Sequence, residues 1–210
     1  DGLTKKQVFV IVVVLFHAVG LAGFLWPAYR PLFLYLVPYH LLLLAMVLFY
    51  SYGRVSIRLS GFFLLVYTLG YSCEWIGVHT NWLFGDYTYG NTLGHKLMDV
   101  PLLIGVNWFL LVFSAGALLQ KTKIRNRLAR VLTGAVLLTA LDILIEPVAV
   151  RFNYWQWAGY HAPLKNYICW FLLGVIMLWL FELFRFKRLG YAAPVFLICQ
   201  FVFFCLLNMV

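Results

Sequence analysis

Residues 127–150 read RLARVLTGAVLLTALDILIEPVAV. Beyond Arg130 the run stays apolar long enough for a membrane helix, which needs about 20 residues, and its only charges are Asp142 and Glu146. These are four apart, so a helix sets them on one face, one turn from each other. Pro147 follows and has no N–H for the carbonyl of Ile143. A freed carbonyl beside two acids makes a polar notch in an apolar wall.

The rest of the chain repeats this apolar pattern. Of the 210 residues, 64% are hydrophobic and 11% charged, whereas a soluble domain carries about 25% charge. The apolar runs are continuous and do not alternate, which argues against a β-barrel. In lipid the backbone must satisfy its own hydrogen bonds, so the spans are helical. The expectation is one all-α integral membrane domain over residues 1–210, a bundle of about seven transmembrane helices. Spans fall near 7–26, 32–50, 59–78, 101–119, 127–150, 164–184 and 191–210. The first apolar stretch is too long for a signal peptide and reads as a retained helix. Cys73, Cys169, Cys199 and Cys205 sit in apolar runs without a CxxC pair and read as buried small side chains.

The net charge of +9 reads as topology and not as a nucleic-acid surface. With the N-terminus in the cytoplasm, the inside segments hold Lys5, Lys6, Arg54, Arg58, Lys121, Lys123, Arg125, Arg127, Arg130, Arg185, Lys187 and Arg188. Only Arg30, Lys96, Arg151 and Lys165 fall outside. Twelve basic residues against four predicts N-inside and C-outside, a multi-pass protein of the cell inner (cytoplasmic) membrane with the lipid bilayer around it.

Charge inside a span costs roughly 2.5–3.5 kcal/mol at the centre on insertion scales. Glu74, Asp142 and Glu146 therefore need a reason. With this topology they fall in the outer half of the bilayer, together with Asp99, Asn107, Lys165 and Asn166, and predict a cavity there. Structural readings stand beside the functional ones. Asp99 suits an N-terminal cap of the fourth helix, Glu74 and Asp142 suit partners for Lys165, Arg151 or tyrosine hydroxyls, and Glu146 could reach the outer interface. Glu182 reads as a solvated pair with Arg185 or Lys187, and His17 and His40 as packing histidines. Two outside connections, 79–100 and 151–163, are dense in aromatic residues and suit either a headgroup belt or a lid over the bundle. No HxxxH, HExxH or DDxxD pattern appears, so no metal ligands are expected.

Burial disfavours a carboxylate, and two acids on one face repel when both are ionised, so one is expected to hold a proton. A proton-bearing acid between aromatic walls suits protonation of an alkene in a hydrophobic substrate, with a second carboxylate to steer water.

Two blocks carry a family resemblance. The first is Glu74-Trp75-Ile76-Gly77-Val78, then Phe84-Gly85-Asp86-Tyr87-Thr88-Tyr89-Gly90, Leu93-Gly94 and Val100-Pro101-Leu102. The second is Asp142 to Glu146-Pro147, Trp155-Gln156-Trp157, Pro163-Leu164, Asn166-Tyr167 and Trp170. Together they resemble the CruF-type carotenoid 1,2-hydratases, with one departure: Glu146 stands where the pattern has Asp before the proline. The resemblance implies water addition across the terminal 1,2 C=C of an acyclic carotenoid end, of lycopene or γ-carotene type, without an organic cofactor. It makes a carotenoid and water the partners, with other membrane enzymes of carotenoid synthesis as candidate neighbours. On that footing Asp142 or Glu146 is the acid, and Glu74, with Asp99, positions water. Trp75, Phe84, Tyr87, Tyr89, Asn107, Trp155, Trp157, Asn166 and Trp170 line the substrate site. The alternatives are a carotenoid end-group cyclase, which starts with the same protonation, and a proton-coupled transporter. A retinal protein is disfavoured, because residues 191–210 contain no lysine for a Schiff base.

Overall fold

The computed structural model describes residues 3–53, 56–187 and 189–210. Arg54 and Arg188, counted above among the inside cations, lie outside the described residues. The bundle is helical throughout: α1 (Lys5–Leu25), α2 (Arg30–Ser51), α3 (Ile57–Thr80), α4 (Leu103–Leu119), α5 (Arg127–Arg151), α6 (Leu164–Phe184) and α7 (Ala192–Asn208). Side chains cap three of the starts. Thr4 forms a capping box with Gln7, Ser56 accepts from the Leu59 N–H, and Asn126 accepts from the Ala129 N–H, each satisfying an otherwise orphaned donor. Among the described residues, five helices are long and apolar enough to cross a membrane. At 17 residues each, α4 and α7 rise only about 25 Å.

Helix α4 is the shaft of the bundle. It packs against α2, α3, α5, α6 and α7, and 14 of its 17 residues are buried. A helix apolar all round belongs in such a position. Around it α1 packs on α2 and α7, and α5 on α6. The connections separate by chemistry. At one end Arg58 donates to the Arg185 carbonyl, Lys121 to the Leu189 carbonyl, and Arg130 to Glu182. At the other end the two aromatic connections meet.

There β1 (Tyr87–Tyr89) pairs antiparallel with β4 (Trp155–Trp157), in the register Tyr87↔Trp157 and Tyr89↔Trp155. The ribbon is extended by Gly90 N–H to Tyr154 O (2.9 Å) and Ala158 N–H to Asp86 O (3.0 Å). A second pair, β2 (Lys96–Leu97) with β3 (Val100–Pro101), is held to α3 by Tyr67 and Tyr71, whose hydroxyls donate to the Leu102 and Leu97 carbonyls. This hairpin takes up residues 100 and 101, so α4 starts at Leu103 with Leu102 as its cap residue.

Glu182 departs from the sequence expectation. It is buried and meets Arg130 of α5 in a two-pronged pair at 2.8 and 2.7 Å, not the neighbouring Arg185 or Lys187. Removing one partner strands the other charge. Glu182→Leu is expected to lower unfolding stability in detergent by about 3 kcal/mol. The double replacement Arg130→Met, Glu182→Leu should recover most of that loss in the same thermal-unfolding assay.

Candidate active site

The buried positions Phe62, Val66, Gly70, Glu74 and Gly77 form one stripe along α3. Glu74 thus points into the bundle with a glycine one turn away on each side. A Cβ at Gly70 would stand 2.6 Å from the Trp108 ring, and one at Gly77 would stand 2.7 Å from the Tyr87 hydroxyl. Both glycines leave room for donors to close on the carboxyl. Glu74 Oε2 accepts from the hydroxyls of Tyr87 (2.6 Å) and Tyr89 (2.8 Å), and Oε1 accepts from the Trp108 indole (3.1 Å).

Glu146 is held in the same manner from α5. Its Oε2 accepts from the indoles of Trp155 (3.1 Å) and Trp157 (2.7 Å), and its Oε1 from Asn166 Nδ2 (3.3 Å). Alternation along a strand puts residues two apart on one face. One face of the ribbon therefore supplies two phenols to Glu74 and two indoles to Glu146. Burial, and then the nearby Glu74, push the Tyr87 and Tyr89 phenols well above their ordinary range, so both remain O–H donors.

Asp142, one turn before Glu146, is fully buried. Its Oδ2 accepts from Asn166 Nδ2 at 2.7 Å, while its Oδ1 has no partner. Asn166 thus bridges the two acids of α5 from the first turn of α6. No cation joins them among the described residues. Lys165 donates to the Asn81 carbonyl and Arg151 to the Leu207 carbonyl. Three carboxyl groups share this region with neutral donors alone.

Two cavities meet here. The small one, about 30 Å³, is lined by Glu74, Phe84, Tyr87, Tyr89, Asn107, Glu146, Trp155, Trp157, Asn166 and Trp170, with Ile104 and Ile145. The large one, about 620 Å³, lies among α1, α2, α4, α5 and α7 and is walled mostly by apolar residues. Ile104, Asn107, Ile145 and Trp155 border both. The large cavity has the size typical of small-ligand pockets, roughly 300–1,000 Å³. Its α1–α2 side includes Phe16, Val19, Tyr39, Leu42 and Met46, all exposed on the outer face of the bundle.

The structure thus brings together ten of the residues singled out in the sequence. Asp142 stands just behind the small cavity, reached through Asn166. Two others fall elsewhere. Trp75 is exposed and packs on His79. Asp99 sits in the β2–β3 turn at φ +63°, with its side chain 82% exposed and 3.9 Å from His79. It neither caps α4 nor approaches the acids, because the hairpin carries it outward. Sequence reasoning missed Trp108, which donates to Glu74 and packs against Trp170 at 4.2 Å between ring centres. It also missed the walls supplied by α1 and α2. Among the described residues no three His, Cys, Asp or Glu side chains form a group fit for a metal ion.

Comparison with known proteins adds family to geometry. A family model described as "Carotenoid biosynthesis protein" matches residues 35–210. A bisanhydrobacterioruberin hydratase of Haloarcula japonica is 36% identical over 142 residues, covering 63% of this chain and 48% of that protein. The chain therefore spans about half the length of this curated relative. No solved structure matches. The match of the family model over most of the chain, from α2 through α7, places the protein in the carotenoid biosynthesis protein family.

Proposed function

We propose that the protein is a cofactor-independent hydratase that adds water across the terminal 1,2 C=C of an acyclic carotenoid end group. The observation that carries this reading is a small cavity bordered by two buried carboxyl groups and opening beside a large apolar one. An isoprenoid chain suits the large cavity, and its end group reaches the acids past Asn107 and Trp155. The exposed apolar residues on the α1–α2 side suit lateral entry from lipid. The relative from Haloarcula japonica, named as a hydratase, points the same way.

The chemistry divides among named residues. Glu146 borders the cavity and shares Asn166 with Asp142. Two acids one turn apart do not both ionise readily, so the pair holds a proton. Glu146 gives it to the less substituted alkene carbon, and the π electrons form the new C–H bond. The neighbouring carbon becomes a tertiary cation, faced by the aromatic walls of Trp155, Trp157 and Trp170. Water bonds to that carbon, and its surplus proton passes to Glu74, which three donors hold as an anion. The proton then returns to Glu146 through water in the same cavity. Asn107 and Asn166 hold the water and the acids in register. Asp142 acts through Asn166 and is a positioning residue.

A cyclase would begin with the same proton transfer and let an internal alkene capture the cation. The small cavity sets Glu74, Glu146, Asn107 and Asn166 among aromatic walls and holds roughly two waters, at 10–15 Å³ of such volume each. That favours hydration. We further place all seven helices across the inner membrane as one domain, N-terminus inside, since the basic connections share one end and the aromatic ribbon the other.

In a bacterial host making lycopene or γ-carotene, expression is expected to yield a pigment heavier by one water with unchanged polyene absorption, read by mass spectrometry. An isomer of unchanged mass would replace the hydratase reading with the cyclase. Glu146→Gln and Glu74→Gln should each lower conversion by roughly 10²–10⁴-fold at equal membrane expression. Full conversion by both Asp142→Asn and Glu146→Gln would sink the acid mechanism.

A further inference from the structure

The large cavity is walled mostly by apolar side chains; Asn107 and Tyr154 line it toward the acids, Tyr39 on the outer side, and a separate polar group stands where α1, α2 and α7 meet. There His17, His40 and Gln200 line it together. His17 Nδ1 lies 2.7 Å from the Val13 carbonyl and donates to it, which leaves Nε2 as an acceptor. Gln200 Nε2 donates to that nitrogen at 2.8 Å. His17 is thus fully engaged, while Gln200 keeps a second N–H and its carbonyl oxygen. The contacts of His40 are aromatic, with Phe16 and edge-on with His17 at 5.6 Å. Its ring nitrogens bond to no other described residue. Polar groups left in an apolar wall are costly unless something meets them.

The depth of the trio is informative. His17 precedes Phe24 by seven residues, or about 10 Å of helix, and Phe24 packs on Phe152 at 5.2 Å. Glu146 precedes Phe152 by six residues, or about 9 Å. The trio and the acid therefore lie at similar depth, on different walls of connected cavities.

We propose that His40 and Gln200, braced by His17, form a binding site for an oxygen substituent, hydroxyl or carbonyl, carried by the isoprenoid near its reacting end. An imidazole and an amide each offer a donor and an acceptor, which is what a hydroxyl requires. A hydrocarbon of the same skeleton would leave them unpaired. The site makes the protein bind oxygenated acyclic isoprenoids more tightly than plain hydrocarbons, which it still accepts. This inference rests on the isoprenoid-substrate reading above and adds the recognition element to it.

The test is equilibrium binding to the detergent-solubilised full chain, read by quenching of tryptophan fluorescence. The probes are a C20 acyclic isoprenoid alcohol whose hydroxyl lies beside its terminal isopropylidene group, and the C20 hydrocarbon of the same skeleton. The wild type is expected to bind the alcohol about three- to tenfold more tightly. His40→Phe and Gln200→Leu should bring that preference close to unity, and His40→Gln should retain it. Gel filtration checks that each variant is folded. An absent preference in the wild type, or one unaltered in both variants, overturns the oxygen site while leaving the isoprenoid reading intact. Failure of the wild type to bind either probe overturns both.

Discussion

Three carboxyl groups inside an apolar bundle, with no cation beside them among the described residues, set the terms for the rest of this structure. Each must be satisfied by neutral donors or hold a proton. The protein satisfies two of them with one device. Tyr87, Tyr89, Trp155 and Trp157 stand on one face of the β1–β4 ribbon and donate to Glu74 and Glu146. Trp108 and Asn166 complete the two sets from α4 and α6. Asp142 differs: its donor Asn166 reaches Oδ2, and Oδ1 is buried with no partner among the described residues. An anion so poorly solvated beside Glu146 is costly, so donor counting makes the α5 pair the place where a proton is held and Glu74 the carboxyl best suited to stay charged.

The ribbon also explains the aromatic density of the two outer connections. A headgroup belt would turn its indoles and phenols toward the membrane interface. Here Tyr87, Tyr89 and Trp157 are buried, and Phe84 packs edge-on against Tyr87. The connections form a lid whose polar edges face inward. Thr92 ties it down at the Phe152 carbonyl (2.8 Å), and Lys165 at the Asn81 carbonyl. Water exchange at the acids must then pass this lid or the apolar cavity, which suits chemistry through a carbocation that bulk water would quench without control.

The helices were legible because apolar runs of bilayer length have few other solutions. The run expected at 164–184 is α6 as observed, and that at 59–78 extends by two residues at each end. The acids of α5 were legible for the same reason: i and i+4 on a helix share a face whatever surrounds them. The ribbon was not legible, since three residues of alternation in Tyr-Thr-Tyr and Trp-Gln-Trp are too short to mark strands. Their pairing bridges nearly seventy residues of sequence. The nearest charge in sequence is not the nearest in space for Glu182, which finds Arg130 across the α5–α6 contact. His17, a packing histidine by sequence, meets Gln200 from a helix far along the chain. Trp108 was hidden because α4 is apolar on every side, so nothing in its pattern distinguishes an indole that packs from one that donates.

Glu146 shows how the outer ribbon and the inner acids constrain each other. Its position on α5 is fixed by Asp142 one turn below and by Pro147 immediately after it, while its donors sit in β4, beyond the end of that helix. The side chain must span from the helix wall to the ribbon, and glutamate reaches one methylene further than aspartate. With Trp155 and Trp157 on Oε2 and only the longer Asn166 contact on Oε1, the two oxygens are unequal. Oε2 is anchored in the lid, and Oε1 is the freer oxygen and the better place for a transferable proton. In the proposed reaction, the same extra methylene that lets Glu146 grip the lid leaves that oxygen beside Asn166, where the two acids of α5 share one donor.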